Sequence, residues 1–266
     1  MAELLFEQVK YEKEKWDKEF KTELIKLKRK FKLFPCGFWE LYYREITEYL
    51  DGLLRLIPPP LKILEVGCGS GKGSLLLKTD IETLTLVDIS EEALKLAQFF
   101  ANKLKRKNIK YIQYIQADLF KFLPLSGLYD LVWNSGTLEH YDEPFIEKIL
   151  KEMARVTKKG GYLVIGLPNP KSLAYKKAKF LSTAFGRRWL KFIPGYRIES
   201  EKGYSPEVFS NFFKSLKGYN FQDVNITYVG SYLLRDTPGF ILRISRYGDL
   251  FFKKYKFSYL ISAKKL

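Results

Sequence analysis

Histidine is almost missing from this chain: His140 is the only one in 266 residues. Cysteine is nearly as scarce. Cys36 and Cys68 stand far apart and in no metal-ligand spacing, so a disulfide scaffold or a zinc site is not expected, and no other metal site is read. No apolar run approaches the length that crosses a bilayer. The opening "MAELLFEQVK" lacks a basic stretch followed by an apolar one, so no signal peptide is expected and a cytoplasmic location is the default. There is no internal repeat and no low-complexity tract. What remains is ample for a core: 46% of the residues are hydrophobic and 16% aromatic, which excludes a disordered chain.

Acidic side chains are scarce in one part only. The net charge is +16, yet residues 1–50 hold 11 basic and 10 acidic side chains, and residues 51–150 hold 12 and 13. Residues 151–266 hold 23 and 7, so the whole excess lies there. Such asymmetry points to an acidic partner, or to a solvated Lys-rich surface.

Along the chain, Val9, Trp16, Phe20, Leu24, Leu27 and Phe31 recur near helical spacing within residues 3–33. A second helix is expected from Phe38 to Ile57, stopped by Pro58, Pro59 and Pro60. Residues 1–57 thus read as a helical extension that packs on the domain or covers its ligand. From residue 58 the pattern alternates: strands at 61–66, 83–88, 110–118, 129–134 and 161–169, with helices at 90–107 and 143–159. Strand and helix alternating at this spacing imply a doubly wound α/β fold, a parallel sheet covered on both faces. Residues 58–169 form this core and 205–266 complete the sheet. There, Ser205 and Pro206 open a helix, 219–229 reads as a strand, and "FSYLISAKK" alternates like an edge strand. Between them, 170–204 reads as a basic, aromatic insertion, a substrate lid. Leu181, Phe185, Trp189 and Phe192 are spaced like one helix face in it. A second basic, aromatic stretch occupies 239–257.

The stretch "ILEVGCGSGKGS", Ile63–Ser74, carries the chemistry. Gly67, Gly69 and Gly71 follow a buried strand directly, where a Cβ would block a sharp turn and close approach to a ligand. The dinucleotide fingerprint needs glycine at 72, which is Lys72, so a ligand without phosphates is favoured. Glu65, Asp88 and Asp118 stand at the ends of the first three strands. The crevice of an open parallel sheet lies at those ends. A carboxylate after the second strand suits ribose hydroxyls, and one after the third suits an exocyclic amine.

These motifs resemble the class I S-adenosylmethionine-dependent methyltransferases, over residues 61–168 and more loosely beyond. "LEVGCGSGKGS", "LTLVDISEEALKLA" and "IQADLF" look like the family's first three motifs. "YDLVWNSGTLEHYDEP" looks like the fourth, as in the quinone-biosynthesis type. The resemblance implies a Rossmann-like seven-stranded sheet with one antiparallel strand at an edge. It implies that Glu65 and the loop Gly67, Cys68, Gly69, Gly71 hold the methionine part, and that Asp88 holds the ribose. Ile89 would pack on the adenine, Asp118 and Leu119 would read it, and Asn134 and Ser135 would face the sulfonium. The cofactor the resemblance implies is S-adenosylmethionine, with S-adenosylhomocysteine as its product.

Displacement at a sulfonium needs a base only when the acceptor loses a proton late. His140 follows the fourth strand and titrates near neutrality, so it is the first candidate, with Glu139 the second. The competing reading has His140 bonding nearby backbone and starting the next helix. Asp142 reads as that helix's cap. The residues Asn134-Ser135-Gly136-Thr137 depart from the Asn/Asp-Pro-Pro-Tyr/Phe of amide and exocyclic-amine methyltransferases, which leaves the acceptor open. Three readings compete: a methyltransferase for a small or lipid-like molecule, one for RNA or protein, and a non-catalytic S-adenosylmethionine-binding module. Residues 171–257 would supply contact with an anionic membrane surface or RNA, peripheral to the membrane in the former case. No oligomeric state is read.

Overall fold

The computed structural model describes residues 2–121, 128–189, 198 and 200–266. Two helices lead: α1 (Ala2–Arg29) and α2 (Gly37–Leu54). Then come β1 (Lys62–Val66), the short α3 (Lys72–Leu75), β2 (Ile81–Asp88), α4 (Glu91–Leu104), β3 (Ile109–Gln116) and β4 (Tyr129–Ser135). These are followed by α5 (Glu143–Val156), β5 (Thr157–Pro168), α6 (Leu173–Leu181), α7 (Ala184–Trp189), α8 (Pro206–Ser215) and β6 (Phe221–Val229). The chain ends with α9 (Gly239–Ile244), α10 (Asp249–Phe252) and β7 (Ser258–Lys265).

The seven strands form one sheet in the order β3-β2-β1-β4-β5-β7-β6. Strands β1 to β5 pair in parallel, and β7 runs antiparallel to both its neighbours. Each central strand feeds two apolar layers because side chains alternate across the pleat. Ile63 of β1 joins α2 and α4 through Ile46, Leu50 and Phe100. Leu64 and Val66 join α5 and α8 through Ile149, Met153 and Phe209.

Local chemistry sets the helix ends. Ser90 caps α4, its hydroxyl accepting from Ala93 N at 3.1 Å. Pro206 sits at the first position of α8, where its missing N–H costs nothing.

Several expectations are corrected. The last strand is not at the edge: β7 lies between β5 and β6 and is buried along Ser258–Ala263. Its polar positions are satisfied from within, Ser262 Oγ by Tyr49 Oη at 2.6 Å and Ser258 Oγ by Leu167 O at 2.5 Å. Strand β5 starts at Thr157, so Thr157–Lys159 belong to the sheet rather than to α5. The helix face expected through Leu181, Phe185 and Trp189 is broken at Ser182–Thr183. Thr183 Oγ1 accepts from Gly186 N at 3.1 Å and starts α7 anew, leaving Leu181 buried and Phe185 and Trp189 exposed. Phe192 lies outside the described residues.

Candidate active site

Five glycine and acid positions converge at the carboxyl ends of β1, β2 and β4. Gly67, Gly69 and Gly71 take φ of +64°, +50° and +65°, a region L side chains rarely enter. A Cβ on Gly67 would lie 2.4 Å from Thr137 Oγ1. The two oxygens of Asp88 hold the loop, accepting from Gly69 N at 2.8 Å and Ser90 N at 2.9 Å. Glu65 Oε2 accepts from Ser74 N at 3.2 Å. Burial pushes the Glu65 carboxyl up to about 8, against the Ser74 hydrogen bonds and with help from Asp88. Burial likewise raises Asp88, to about 6, against three backbone N–H groups.

Around this floor lies a cavity of about 1150 Å³, larger than one small ligand needs. Helix α1 forms one wall. Trp16 stacks on Phe20 with ring centroids 5.6 Å apart, and a Cβ at Gly69 would lie 3.2 Å from Phe20 Cζ. Ser90 Oγ donates to Asp17 at 2.5 Å, and Lys72 pairs with Glu23 at 3.6 Å. Helix α2 adds Trp39, Tyr42 and Tyr43, with Tyr42 Oη and Ser135 Oγ 3.0 Å apart.

Of the expected residues, Glu65, Gly67, Cys68, Gly69, Asp88, Ile89, Leu119, Ser135 and His140 line the cavity. Four do not. Gly71 turns its Cβ position toward Leu86 and Ala97 and serves packing. Asp118 Oδ1 accepts from Phe120 N at 2.9 Å and closes a turn. Asn134 is fully buried, its Nδ2 donating to Val66 O and its Oδ1 without a partner. Glu139 is buried behind the cavity wall with Oε2 unpartnered, and burial, with Glu201 adding, raises it to about 8.

His140 does not start α5. Asp142 occupies the N-cap position, and its carboxylate pairs with Lys202 rather than capping the helix. The imidazole Nδ1 lies 2.8 Å from Ser200 Oγ. Trp16 meets the ring edge-on, centroids 5.8 Å apart.

Sequence reasoning missed Glu12, Trp16, Phe20, Tyr42 and Gly73 as site residues. The stripe of α1 contained Trp16 and Phe20, and only the fold says that it faces the glycine loop. Gly73 had a signal, a fourth glycine in "GCGSGKG". A Cβ there would lie 2.2 Å from Trp133 Cη2, so the close helix–strand packing falls at 73.

A methyltransferase-domain profile matches residues 64–165. The ubiquinone biosynthesis O-methyltransferase of Vibrio parahaemolyticus is 27% identical over 161 residues, 60% of this chain and 63% of that protein. The protein of the same name from Paracidovorax citrulli is 28% identical over 155 residues, 55% and 63%. The chain thus spans less than two thirds of the length of these relatives. Among solved structures, a magnesium protoporphyrin IX methyltransferase from Synechocystis PCC 6803 with bound S-adenosylhomocysteine aligns at TM-score 0.54. It is 16% identical, and the match covers 83% of this chain and 82% of that one. An S-adenosylmethionine-dependent methyltransferase from Clostridium acetobutylicum aligns at 0.56, with 15% identity, covering 84% and 91%. Both likenesses concern the fold.

Proposed function

We propose that this chain is a class I S-adenosylmethionine-dependent methyltransferase that methylates a hydroxyl of a small or lipid-like aromatic acceptor, a reading supported by the methyltransferase-domain match at residues 64–165. The observation that carries this reading is the cavity at the strand ends, with Glu65, the glycine loop and Asp88 on its floor and aromatic rings on its walls.

The donor set fits the cofactor. Asp88 has two carboxylate oxygens, each with lone pairs left beyond its backbone bonds, for a pair of ribose hydroxyls. Each charged hydrogen bond of this kind contributes about 1.5–3 kcal/mol. Ile89 and Leu119 offer apolar faces for a base, and Glu65 offers a carboxylate to an ammonium group. When bound, S-adenosylmethionine supplies a methyl group already activated on a sulfonium.

The protein's own part is alignment and exclusion of water. Holding acceptor oxygen, methyl carbon and sulfur in line supplies about 7–11 kcal/mol of the barrier. Phe20, Trp16, Trp39 and Tyr43 form aromatic walls suited to a flat acceptor ring. His140, at the same cavity, takes the hydroxyl proton. The O-methyltransferase names of the curated relatives support an oxygen acceptor.

A lipid-like acceptor is favoured by the surface at 239–255. Tyr247 is 89% exposed and Phe251 78%, and Phe240, Ile244, Arg243, Lys253 and Lys254 of the same stretch are exposed as well. Rings and cations together suit an anionic bilayer surface. Among the described residues no helix is long and apolar enough to cross a membrane.

The test is release of S-adenosylhomocysteine with a panel of catechols, with and without isoprenoid tails. Acceptor-dependent release, greater with a tail, is expected. Release that no acceptor raises would sink the reading.

A further inference from the structure

We propose that Glu12 and Ser200 are positioning residues that set the tautomer of His140 and thereby make it the base. The proposal rests on the methyl-transfer reading above. Glu12 belongs to α1, is 3% exposed, and is engaged through both oxygens. Oε2 accepts from Trp16 Nε1 at 3.1 Å, and Oε1 accepts from Ser200 Oγ at 3.0 Å. A serine hydroxyl has one proton. Spent on Glu12, it leaves the oxygen only as an acceptor toward His140 Nδ1, 2.8 Å away. Nδ1 therefore carries the ring hydrogen, and Nε2 holds the lone pair. The hydrogen bond made by one ring nitrogen fixes the state of the other.

The three residues come from separate elements: α1, the turn after β4, and the stretch before α8. Trp16 ties them together, donating to Glu12 and packing edge-on against the imidazole. The base is complete only while α1 is seated on the core. In the transfer, His140 Nε2 takes the acceptor's hydroxyl proton as an oxygen lone pair bonds to the methyl carbon. The pair of the breaking carbon–sulfur bond stays on sulfur, which becomes a neutral thioether. The imidazolium formed donates from Nδ1 to Ser200, whose own proton points at the Glu12 carboxylate. A carboxylate and a hydroxyl in series thus orient the ring and oppose its new charge.

The single histidine makes the test direct, because one imidazole gives one pair of ¹⁵N signals. In this protein at a pH where the ring is neutral, Nδ1 should show the protonated shift and Nε2 the lone-pair shift. Ser200→Ala should abolish that preference and lower kcat on 3,4-dihydroxybenzoate at least tenfold, with KM for S-adenosylmethionine unchanged. Ser200→Thr should restore both. A wild-type ring protonated at Nε2, or a Ser200→Ala protein with wild-type tautomer and kcat, would overturn the proposal. His140→Ala separates the two levels. Full turnover in it would sink the base itself, whereas an inactive His140→Ala beside a fully active Ser200→Ala would sink only the relay.

Discussion

Asp88 holds the glycine loop through Gly69 N, and in the proposed function it also binds the ribose. Asp88→Ala is therefore expected to weaken S-adenosylhomocysteine binding at least tenfold by calorimetric titration, and unchanged affinity would refute the ribose assignment. Gly67 leaves no room for a side chain, having φ of +64° and Thr137 Oγ1 at 2.4 Å from a Cβ. Gly67→Ala should cost on the order of 2–3 kcal/mol, read as a lowered Tm. The buried acids make a pH prediction. Glu65 and Glu139 are raised by burial from 4.5 to about 8. The folded protein then keeps protons that the unfolded chain gives up, so the stabilisation is complete below about pH 4.5 and is lost as pH rises toward 8. Tm of the ligand-free protein should fall across that window, and Glu139→Gln should flatten the fall. A Tm that rises instead would contradict the assignment. Asp88 and the loop were legible in the sequence because a buried strand, spaced glycines and a strand-end acid form a local pattern. Glu12 and Ser200 were not, since they stand 188 residues apart and meet only in the fold.

Helix α1 shows what periodicity can and cannot say. Its stripe announced an apolar face but not the partner, which is α4 and the glycine loop together. Phe20, stacked on Trp16 and over Gly69, should matter to the ligand more than to the fold. Phe20→Ala should weaken S-adenosylhomocysteine binding by about 1 kcal/mol, which is roughly fivefold in Kd. A normal Kd would detach α1 from the site. Strand β7 misled for a different reason. Serine and alanine among larger residues look like alternation, yet those small positions are buried, and the serines are bonded inward, as Ser262 is to Tyr49. The break between α6 and α7 was hidden because Thr183 caps a helix without interrupting the apolar spacing.

The whole molecule is polarised. Its excess positive charge lies in residues 151–266, and among the described residues the most exposed rings lie in the same part, on 239–255. That surface is anchored through Lys256, which pairs with Glu45 of α2 at 3.0 Å and with Asp249 at 2.7 Å. Vesicles containing phosphatidylglycerol should bind the protein, neutral vesicles much less, and raised salt should release it. Tyr247→Glu with Phe251→Glu should weaken that binding at least tenfold, and equal binding by the double variant would discard the surface. Charge asymmetry was plain in the sequence, but which rings of that part are exposed needed the fold.

The central claim is methyl transfer to a small or lipid-like acceptor. It is tested most directly by incubating the protein with methyl-labelled S-adenosylmethionine and a total cell extract, then counting label by fraction. The account predicts label in the lipid or small-molecule fraction, absent with Asp88→Ala. Label confined to RNA or protein, or no label despite measured cofactor binding, would contradict it.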